Sequence, residues 1–346
     1  MINLRWTQIN TDESKKSFIL LKTQAFLRSA WDRGVKLLLL SVSICVHLWL
    51  ILSLQGCQSD TPNLGNFPTG VVDSCRAQPK FMAKTGLGRQ IAIDSRQRGY
   101  TGLRLQDVQT GKTWQHETWD DAGHVGAFER DRQGNIYVAP TPEVSLKENP
   151  PELQNRIYRI DAQTAKMRLF MELPWEKPPS PSNPFGVLGL AYDCNTDSLY
   201  ASSVAGSSGK EELGTIYQIN VQQKKIINQL NNTDVIGVGI FNTKKDKRLF
   251  YGSARSSNVF SIGLDAKGSF YGEPRYEFSL ATLQGGNSTI AKKIRFKKQG
   301  QNNYIMTVKE MEFGFRLPAE NNPFTNKYLF QYQKDDAWKF LGVKPE

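Results

Sequence analysis

The chain has 346 residues, of which 39% are hydrophobic and 22% charged, and its formal net charge is +11 at pH 7. This length can enclose a sizeable core, and the composition excludes a chain that is disordered throughout. The excess of basic residues suits an anionic surface or polysaccharide, but it is too diffuse to predict a nucleic-acid partner, for which a compact basic and aromatic block would be needed.

The first element of the chain is an apolar run at residues 37–54, which contains no charged side chain. A run of this length is just enough for a helix that crosses a bilayer, and the basic residues before it predict that its N-terminus stays in the cytoplasm while the rest is exported. The run ends in Leu54-Gln55-Gly56-Cys57, which resembles the lipobox of bacterial lipoproteins. An aliphatic residue stands three positions before the cysteine and a small residue just before it, whereas Gln55 is less usual at its position.

The lipobox resemblance implies that residues 1–56 form a leader that is cleaved before Cys57, whose thiol carries the lipid. Residues 57–80 would then be a polar, lipid-anchored linker that also helps to close the fold. The alternative is an uncleaved signal anchor in which Cys57 has no role. Both alternatives place the body outside the cytoplasm, in the periplasm or on the cell surface, with a membrane as a partner. Because such a leader is long, we expect residues 1–34 to be an artefact of the assigned translation start.

Two cysteines remain for the exported body, Cys75 and Cys194. In an oxidising compartment such an even pair can form a disulfide, which would join the start of the body to a distant turn. The alternative is two unpaired thiols in separate places. The cysteines contain no CxxC spacing, so the sequence predicts no zinc site.

A hairpin pattern recurs through the body, with an alternating strand, a polar turn and a second strand. Its five copies lie at residues 102–114, 156–170, 215–230, 258–272 and 327–341. A second recurring hairpin precedes these copies, at residues 124–140, 189–203, 237–254 and 292–308, with an abbreviated version at residues 89–103. Two consecutive hairpins make a four-stranded meander, which is the blade of a β-propeller.

These units resemble those of NHL-like and gluconolactonase-like β-propellers, as the segment Gly134-Asn135-Ile136-Tyr137-Val138 illustrates. The resemblance covers nearly all of residues 89–341 and implies an all-β fold, a single β-propeller over residues 81–346 behind the N-terminal apolar leader helix. Six blades are favoured, with residues 70–90 and the C-terminal strand forming the sixth, and five blades are the alternative. A pair of β-sandwiches is a further structural alternative, but the regular repetition favours the propeller.

Few residues of the body suggest catalysis. His116 and His124 flank a charged turn, HETWDDAGH, whose spacing matches no mononuclear metal site. His124 stands just before an expected innermost strand, so its side chain is a candidate for the central channel. The sequence contains no GxSxG, GxGxxG or HExxH motif, and we assign no catalytic, cofactor-binding or metal-binding residue. Gluconolactonase-like enzymes hold a divalent cation on the axis with a Glu, an Asn and an Asp, a set that cannot be placed here.

The stretch KKIRFKK at residues 292–298 alternates between two faces. The apolar face carries Ile294 and Phe296, and the basic face carries Lys293, Arg295 and Lys297. One interpretation is that the basic face lines the channel and attracts anions such as uronates or phosphates. The other is a solvated outer strand whose lysines protect it from edge pairing.

The sequence therefore predicts an envelope-anchored lipoprotein whose propeller is a non-catalytic binding or scaffolding module without a cofactor. An anionic saccharide or an envelope protein is the expected partner. The alternative is a metal-dependent hydrolase or lactonase of the gluconolactonase type, and a third reading is an assembly factor of the outer envelope. A basic or aromatic axis would favour binding, whereas an axial cluster of carboxylates with an Asn would favour the enzyme.

Overall fold

The computed structural model describes residues 62–345, except Arg98, residues 143–146, Pro179, and residues 284–288 and 317–324. The apolar leader and Cys57 lie outside the described residues. Within the described ranges, no helix is long and apolar enough to cross a membrane.

The described part of the chain consists of β-strands joined by turns, loops and four short 3₁₀ helices. The strands are β1 (Gly70–Val71), β2 (Ile91–Asp94), β3 (Arg104–Asp107), β4 (Thr113–Trp114), β5 (Val125–Arg130), β6 (Ile136–Pro140), β7 (Arg156–Ile160), β8 (Met167–Glu172), β9 (Val187–Asp193), β10 (Ser198–Ser203), β11 (Thr215–Asn220), β12 (Lys225–Leu230), β13 (Val235–Asn242), β14 (Lys247–Ser253), β15 (Asn258–Leu264), β16 (Phe270–Ser279), β17 (Ile290–Lys298), β18 (Tyr304–Met311), β19 (Asn326–Tyr332) and β20 (Trp338–Pro345). The 3₁₀ helices are Lys80–Lys84, Glu117–Asp120, Pro151–Leu153 and Leu280–Thr282.

These strands form five antiparallel sheets that follow one another along the chain, and the fold is a five-bladed β-propeller. Blade 1 contains β2–β4, blade 2 contains β5–β8, blade 3 contains β9–β12, blade 4 contains β13–β16 and blade 5 contains β17–β20. The first strands of blades 2 to 5 pack against one another in chain order. The hairpins expected from the sequence therefore correspond to the inner and outer strand pairs of these blades, except that the abbreviated copy at residues 89–103 contains β2 alone.

The favoured sixth blade is wrong. Within the described residues, β20 pairs with β19 alone, and β1 adds two residues to the inner edge of blade 4, where Gly70 lies opposite Asn242. The segment after β1 forms a 3₁₀ helix in which the neighbours Phe81 and Met82 are both buried. These residues are therefore a helical turn that packs on the core, and they supply no strand to a further blade.

The core lies between successive blades because each blade buries both of its faces. In β14, Leu249 and Tyr251 pack against blade 3, whereas the intervening Phe250 packs against blade 5. In β10, Tyr200 likewise faces blade 4, and Leu199 faces blade 2. This arrangement explains why the second strands β6, β10 and β14 each carry at least three consecutive apolar residues instead of alternating with polar ones.

Short polar side chains close the outer hairpins, as the sequence predicts. The Asp107 and Asp161 carboxylates accept hydrogen bonds from the backbone N–H groups two residues later, at 2.9 and 3.0 Å. Asp265 makes the same contact with the N–H of Lys267, at 2.8 Å. These side chains fix the turns that position the outer strands.

Residues 62–84, which we call the strap, cross the end of the propeller where the first and second strands of each blade are joined. The strap contacts blade 4 through Asn63 and β1, blade 3 through Cys75, and blade 2 through Ala77 and Phe81. Cys75 and Cys194 form a disulfide between the strap and the turn after β9. The strap thus holds three blades together at one end of the channel.

Candidate functional site

The basic face of β17 lies in the interior of the propeller for part of its length. Ile294 and Phe296 are buried in the core between blades 4 and 5. On the other face Lys293 and Arg295 are half-buried, and Lys297 is exposed near the end of the strand. The alternation expected from the sequence is therefore present, and it brings two of the three basic side chains toward the axis.

Arg295 reaches across to the first strand of blade 2, where it meets Glu129. The Arg295 Nη1 atom lies 2.9 Å from Glu129 Oε2, and Arg76 Nη2 of the strap lies 2.8 Å from the same oxygen. Arg76 also pairs with Asp73 at 2.9 Å. The buried Glu129 carboxylate thus holds two guanidinium groups that come from the strap and from blade 5.

Lys293 completes the group on the axis, which we call the axial cluster and define as Arg76, Glu129, Lys293 and Arg295. The Lys293 ammonium lies 5.0 Å from the ring centroid of Phe128, and among the described residues no carboxylate lies within 4.0 Å of it. Burial, together with the neighbouring charge of Arg295, lowers the pKa of Lys293 to about 8. Burial likewise lowers the pKa of Arg76 despite its two carboxylate partners.

The axial cluster therefore has an excess of positive charge in a partly desolvated place. It contains three basic side chains and one carboxylate, and Asp73 balances only part of Arg76. A charge that is removed from water without a close partner is costly, and an anion that supplied the partner would reduce that cost. The arrangement suits recognition of a negatively charged group.

A cleft of about 450 Å³ adjoins the axial cluster. Phe128 connects the two, because the Lys293 ammonium lies over its ring and the same side chain lines the cleft. The residues that line the cleft are Gln78, Met82, Arg89, Gln90, Ile91, Ala92, Ile93, Val108, Phe128 and Arg130. Its walls are therefore apolar, with two guanidinium groups and two amides among them.

His124 precedes β5, as expected, but it lies at the opposite end of that strand from Glu129. Its Nε2 atom lies 2.7 Å from Glu148 Oε2, and its backbone N–H donates to Asn149 Oδ1 at 2.8 Å. His124 thus ties a loop of blade 2 to the start of β5, and the structure does not bring it together with Lys293 and Arg295.

The described residues contain no group of three or more His, Cys, Asp and Glu side chains placed to hold a metal ion. His116 instead caps a 3₁₀ helix by accepting the N–H of Thr118. Asp193 lies at the end of β9, where its Oδ2 atom is 2.6 Å from Lys247 Nζ, and both side chains are fully buried. His116 and Asp193 thus have separate structural partners.

Two members of the axial cluster were not expected from the sequence, Arg76 and Glu129. Glu129 interrupts an apolar innermost strand, a signal that the sequence does contain. Arg76 follows Cys75, and only the disulfide and the course of the strap show that it reaches the axis. The cleft likewise depends on how blade 1 sits beside β5.

No protein-family model and no curated protein matches the sequence. A Bacteroides thetaiotaomicron extracellular domain assigned to a one-component system matches with 14% identity and a TM-score of 0.40, over 81% of this chain and 29% of that one. The chain thus spans less than a third of the length of that protein. A glucose dehydrogenase matches with 12% identity and a TM-score of 0.38, over 73% of this chain and 83% of that one. The Malassezia sympodialis allergen Mala s 1 matches with 10% identity and a TM-score of 0.42, over 75% and 76% of the two chains. Likenesses at this level assign no activity to the chain.

Proposed function

We propose that the protein is an exported, envelope-anchored β-propeller that binds an anionic partner at the axial cluster and acts as a binding or scaffolding module, not as an enzyme. The observation that carries this proposal is the excess of half-buried positive charge around a single carboxylate, Glu129. A basic axis favours binding over the hydrolase alternative, which would require carboxylates that converge on a cation.

The physical basis is the cost of leaving Lys293 without a close carboxylate. An anionic group near the ammonium stabilises its protonated form, and the guanidinium groups of Arg76 and Arg295 offer further donors to carboxylate or phosphate oxygens. Such charge-assisted hydrogen bonds contribute about 1.5–3 kcal/mol each. The partner is therefore an acidic saccharide or an acidic protein segment rather than a neutral polymer.

Calorimetric titration tests this proposal with two anionic probes, trigalacturonate and a hepta-glutamate peptide, and with neutral maltotriose as the control ligand. We expect at least one anionic probe to bind and maltotriose not to bind. Lys293→Met should weaken binding about tenfold or more, since it removes one charge-assisted contact. Lys297→Met is the matched control, because Lys297 lies on the same face of β17 but is exposed. If neither anionic probe binds, or if both variants bind like the parent, the proposal is wrong.

The cellular location is supported by the cysteines. The Cys75–Cys194 disulfide is typical of proteins that fold in an oxidising compartment outside the cytoplasm. In the proposal the lipobox-like sequence before Cys57 then supplies the tether to a bacterial membrane.

Phase partitioning in detergent tests this tether. Cys57→Ser should release the protein into the aqueous phase or stop its processing, because the acylated thiol is lost. Cys45→Ser, a change inside the apolar run, should leave partitioning and processing as they are. A Cys57→Ser protein that partitions and migrates like the parent would rule out the lipid anchor.

A further inference from the structure

In the described part of the chain, blade 1 has three strands, whereas blades 2 to 5 each have four of their own. The turn of its outer hairpin has the same backbone hydrogen bonds as the turn of the outer hairpin of blade 2. The N–H of Asp107 donates to the carbonyl of Lys112 at 2.8 Å, and the N–H of Asp161 donates to that of Lys166 at 3.0 Å. β3 and β4 therefore correspond to β7 and β8, the third and fourth strands of a blade.

It follows that β2, which pairs with β3, occupies the second position and that the first position of blade 1 is unfilled within the described residues. In blade 2 that position is held by β5, which pairs with β6 along the axis. Blade 1 thus presents the edge of a second strand where its neighbours present a first strand.

The cleft lies along this edge. Its lining includes the three consecutive β2 residues Ile91, Ala92 and Ile93. Because alternate side chains of a strand point to opposite faces, three consecutive residues can line one cleft only where the strand edge itself is open. The opposite wall comes from β5, through Phe128 and Arg130. The cleft therefore occupies the place of the missing first strand.

The residues that line the cleft suit a bound polypeptide. β2 can pair four residues, or about 13 Å of extended chain. The side chains of Ile91, Ile93 and Phe128 offer apolar contacts, and the guanidinium groups of Arg89 and Arg130 offer positive charge. An incoming strand that alternates apolar and acidic residues would satisfy both, while its backbone paired with the edge of β2.

We propose that the cleft binds an acidic, extended segment of a partner protein, which adds to β2 as the first strand of blade 1. This inference rests on the proposed function, and it narrows the anionic partner to an acidic segment of a protein. Addition of a strand to an open sheet edge obtains affinity from backbone hydrogen bonds and specificity from the alternating side chains. The described ends of the chain do not supply this strand, because β1 pairs with blade 4 and β20 with β19. An acidic saccharide could pair with the guanidinium groups of the cleft, but it could not form a backbone ladder with the edge of β2.

The test uses the peptide acetyl-Val-Glu-Val-Glu-Val-Glu-amide as the probe and amide hydrogen exchange as the readout. We expect saturating peptide to slow exchange of the Ile91 and Ile93 N–H groups by about tenfold or more. Gln90 accepts the N–H of Val108, so in this antiparallel register Ala92 and Asp94 also face β3, whereas Ile91 and Ile93 face the open edge. The same peptide with every peptide nitrogen methylated keeps its charges but cannot donate backbone hydrogen bonds, and it should give no protection. The corresponding Val-Lys peptide should not bind.

Two variants locate the contact. Arg130→Gln should weaken peptide binding about fivefold or more. Lys225→Gln, a change on the exposed face of the outer strand β12, should bind the peptide like the parent. The proposal is overturned if the Val-Glu peptide gives no protection of β2, or if the methylated peptide binds equally well. If trigalacturonate binds but the Val-Glu peptide gives no protection of β2, the proposed function stays in place and this inference alone is overturned, whereas failure of every anionic probe would overturn both.

Discussion

Buried Lys247 and half-buried Lys293 show how the same residue type can serve structure in one place and, in our proposal, binding in another. Lys247 lies 2.6 Å from Asp193 and 3.8 Å from the ring centroid of Phe67. Burial lowers its pKa, and the charge of Asp193 opposes that change. Asp193 also accepts hydrogen bonds from the N–H of Asn195 and the hydroxyl of Thr196. This pair is complete, whereas Lys293 has no such close carboxylate among the described residues.

We predict that Lys247→Met destabilises the protein by about 3–5 kcal/mol, because it leaves the Asp193 carboxylate buried without its cation. The double variant Asp193→Asn with Lys247→Met should cost much less, since it removes both charges. Equilibrium unfolding in urea measures the free energy of unfolding for each variant.

The matched control for this pair is Arg156→Met, which breaks the more exposed Arg156–Glu172 pair at 3.0 Å. Exposed pairs contribute about 0–1 kcal/mol, so this variant should unfold close to the parent. A Lys247→Met protein that loses less than about 1 kcal/mol would contradict the view of the Asp193–Lys247 pair as a structural charge pair.

At the scale of the element, the strap links the disulfide to the axial cluster. Cys75 is bonded to blade 3, and the next residue, Arg76, is paired with Glu129 of blade 2. The N–H of Ala77 then donates to the carbonyl of Asp131 at 3.2 Å. A constraint on Cys75 therefore also positions the Arg76 guanidinium, which is why a strap outside the repeats contributes to the candidate site.

We predict that the double variant Cys75→Ala with Cys194→Ala loses about 4–5 kcal/mol of stability, the amount that the chain-entropy model gives for a loop of this length. The cysteines are separated by 119 residues, so their bond removes much conformational freedom from the unfolded chain. The variant should also show faster amide exchange at Ala77 and weaker binding of the anionic probe. Unreduced parent protein should yield a disulfide-linked peptide on mass spectrometry. Quantitative alkylation of both thiols without reductant would contradict the bridge.

The hairpins could be predicted from the sequence because each one carries its own signal. A strand alternates or is wholly apolar, and a turn needs a side chain such as Asp161 that can bond the backbone. The alternation of residues 292–298 also predicted which side chains of β17 face away from the core. These features are local, so no knowledge of the neighbouring blades was needed.

Blade number and the full axial cluster depend on contacts between distant parts of the chain. Residues 70–90 contain apolar residues, but whether they form a strand of a new blade or a strap is decided by what they pack against. The contact between Arg76 and Glu129 likewise joins the strap to blade 2. For His124, the position before β5 could be predicted from the local pattern. Its contact with Glu148 could not, because Glu148 lies in a loop elsewhere in the chain.

At the scale of the whole molecule, the contacts between blades are of two kinds. Apolar clusters join each blade from 1 to 4 to the next blade along the chain. Blade 5 meets blade 2 across the axis through the Arg295–Glu129 pair and the contact of Lys293 with Phe128. The ring is thus completed by charged side chains beside an unfilled strand position, and this is where the account places the ligand.

The measurement that tests this account most directly is the pKa of Lys293, followed by NMR of protein labelled with ¹³C at the lysine side chains, with Lys293→Met to assign the signal. We predict a pKa of about 8 for Lys293 in the free protein, well below the ordinary 10.5. Saturating anionic ligand should raise it, because a nearby anion stabilises the protonated ammonium. By the same linkage, affinity should be greatest below pH 8 and fall as the pH rises through that value. A Lys293 that titrates near 10.5, or whose pKa does not change when the ligand binds, would contradict the axial cluster as the binding site.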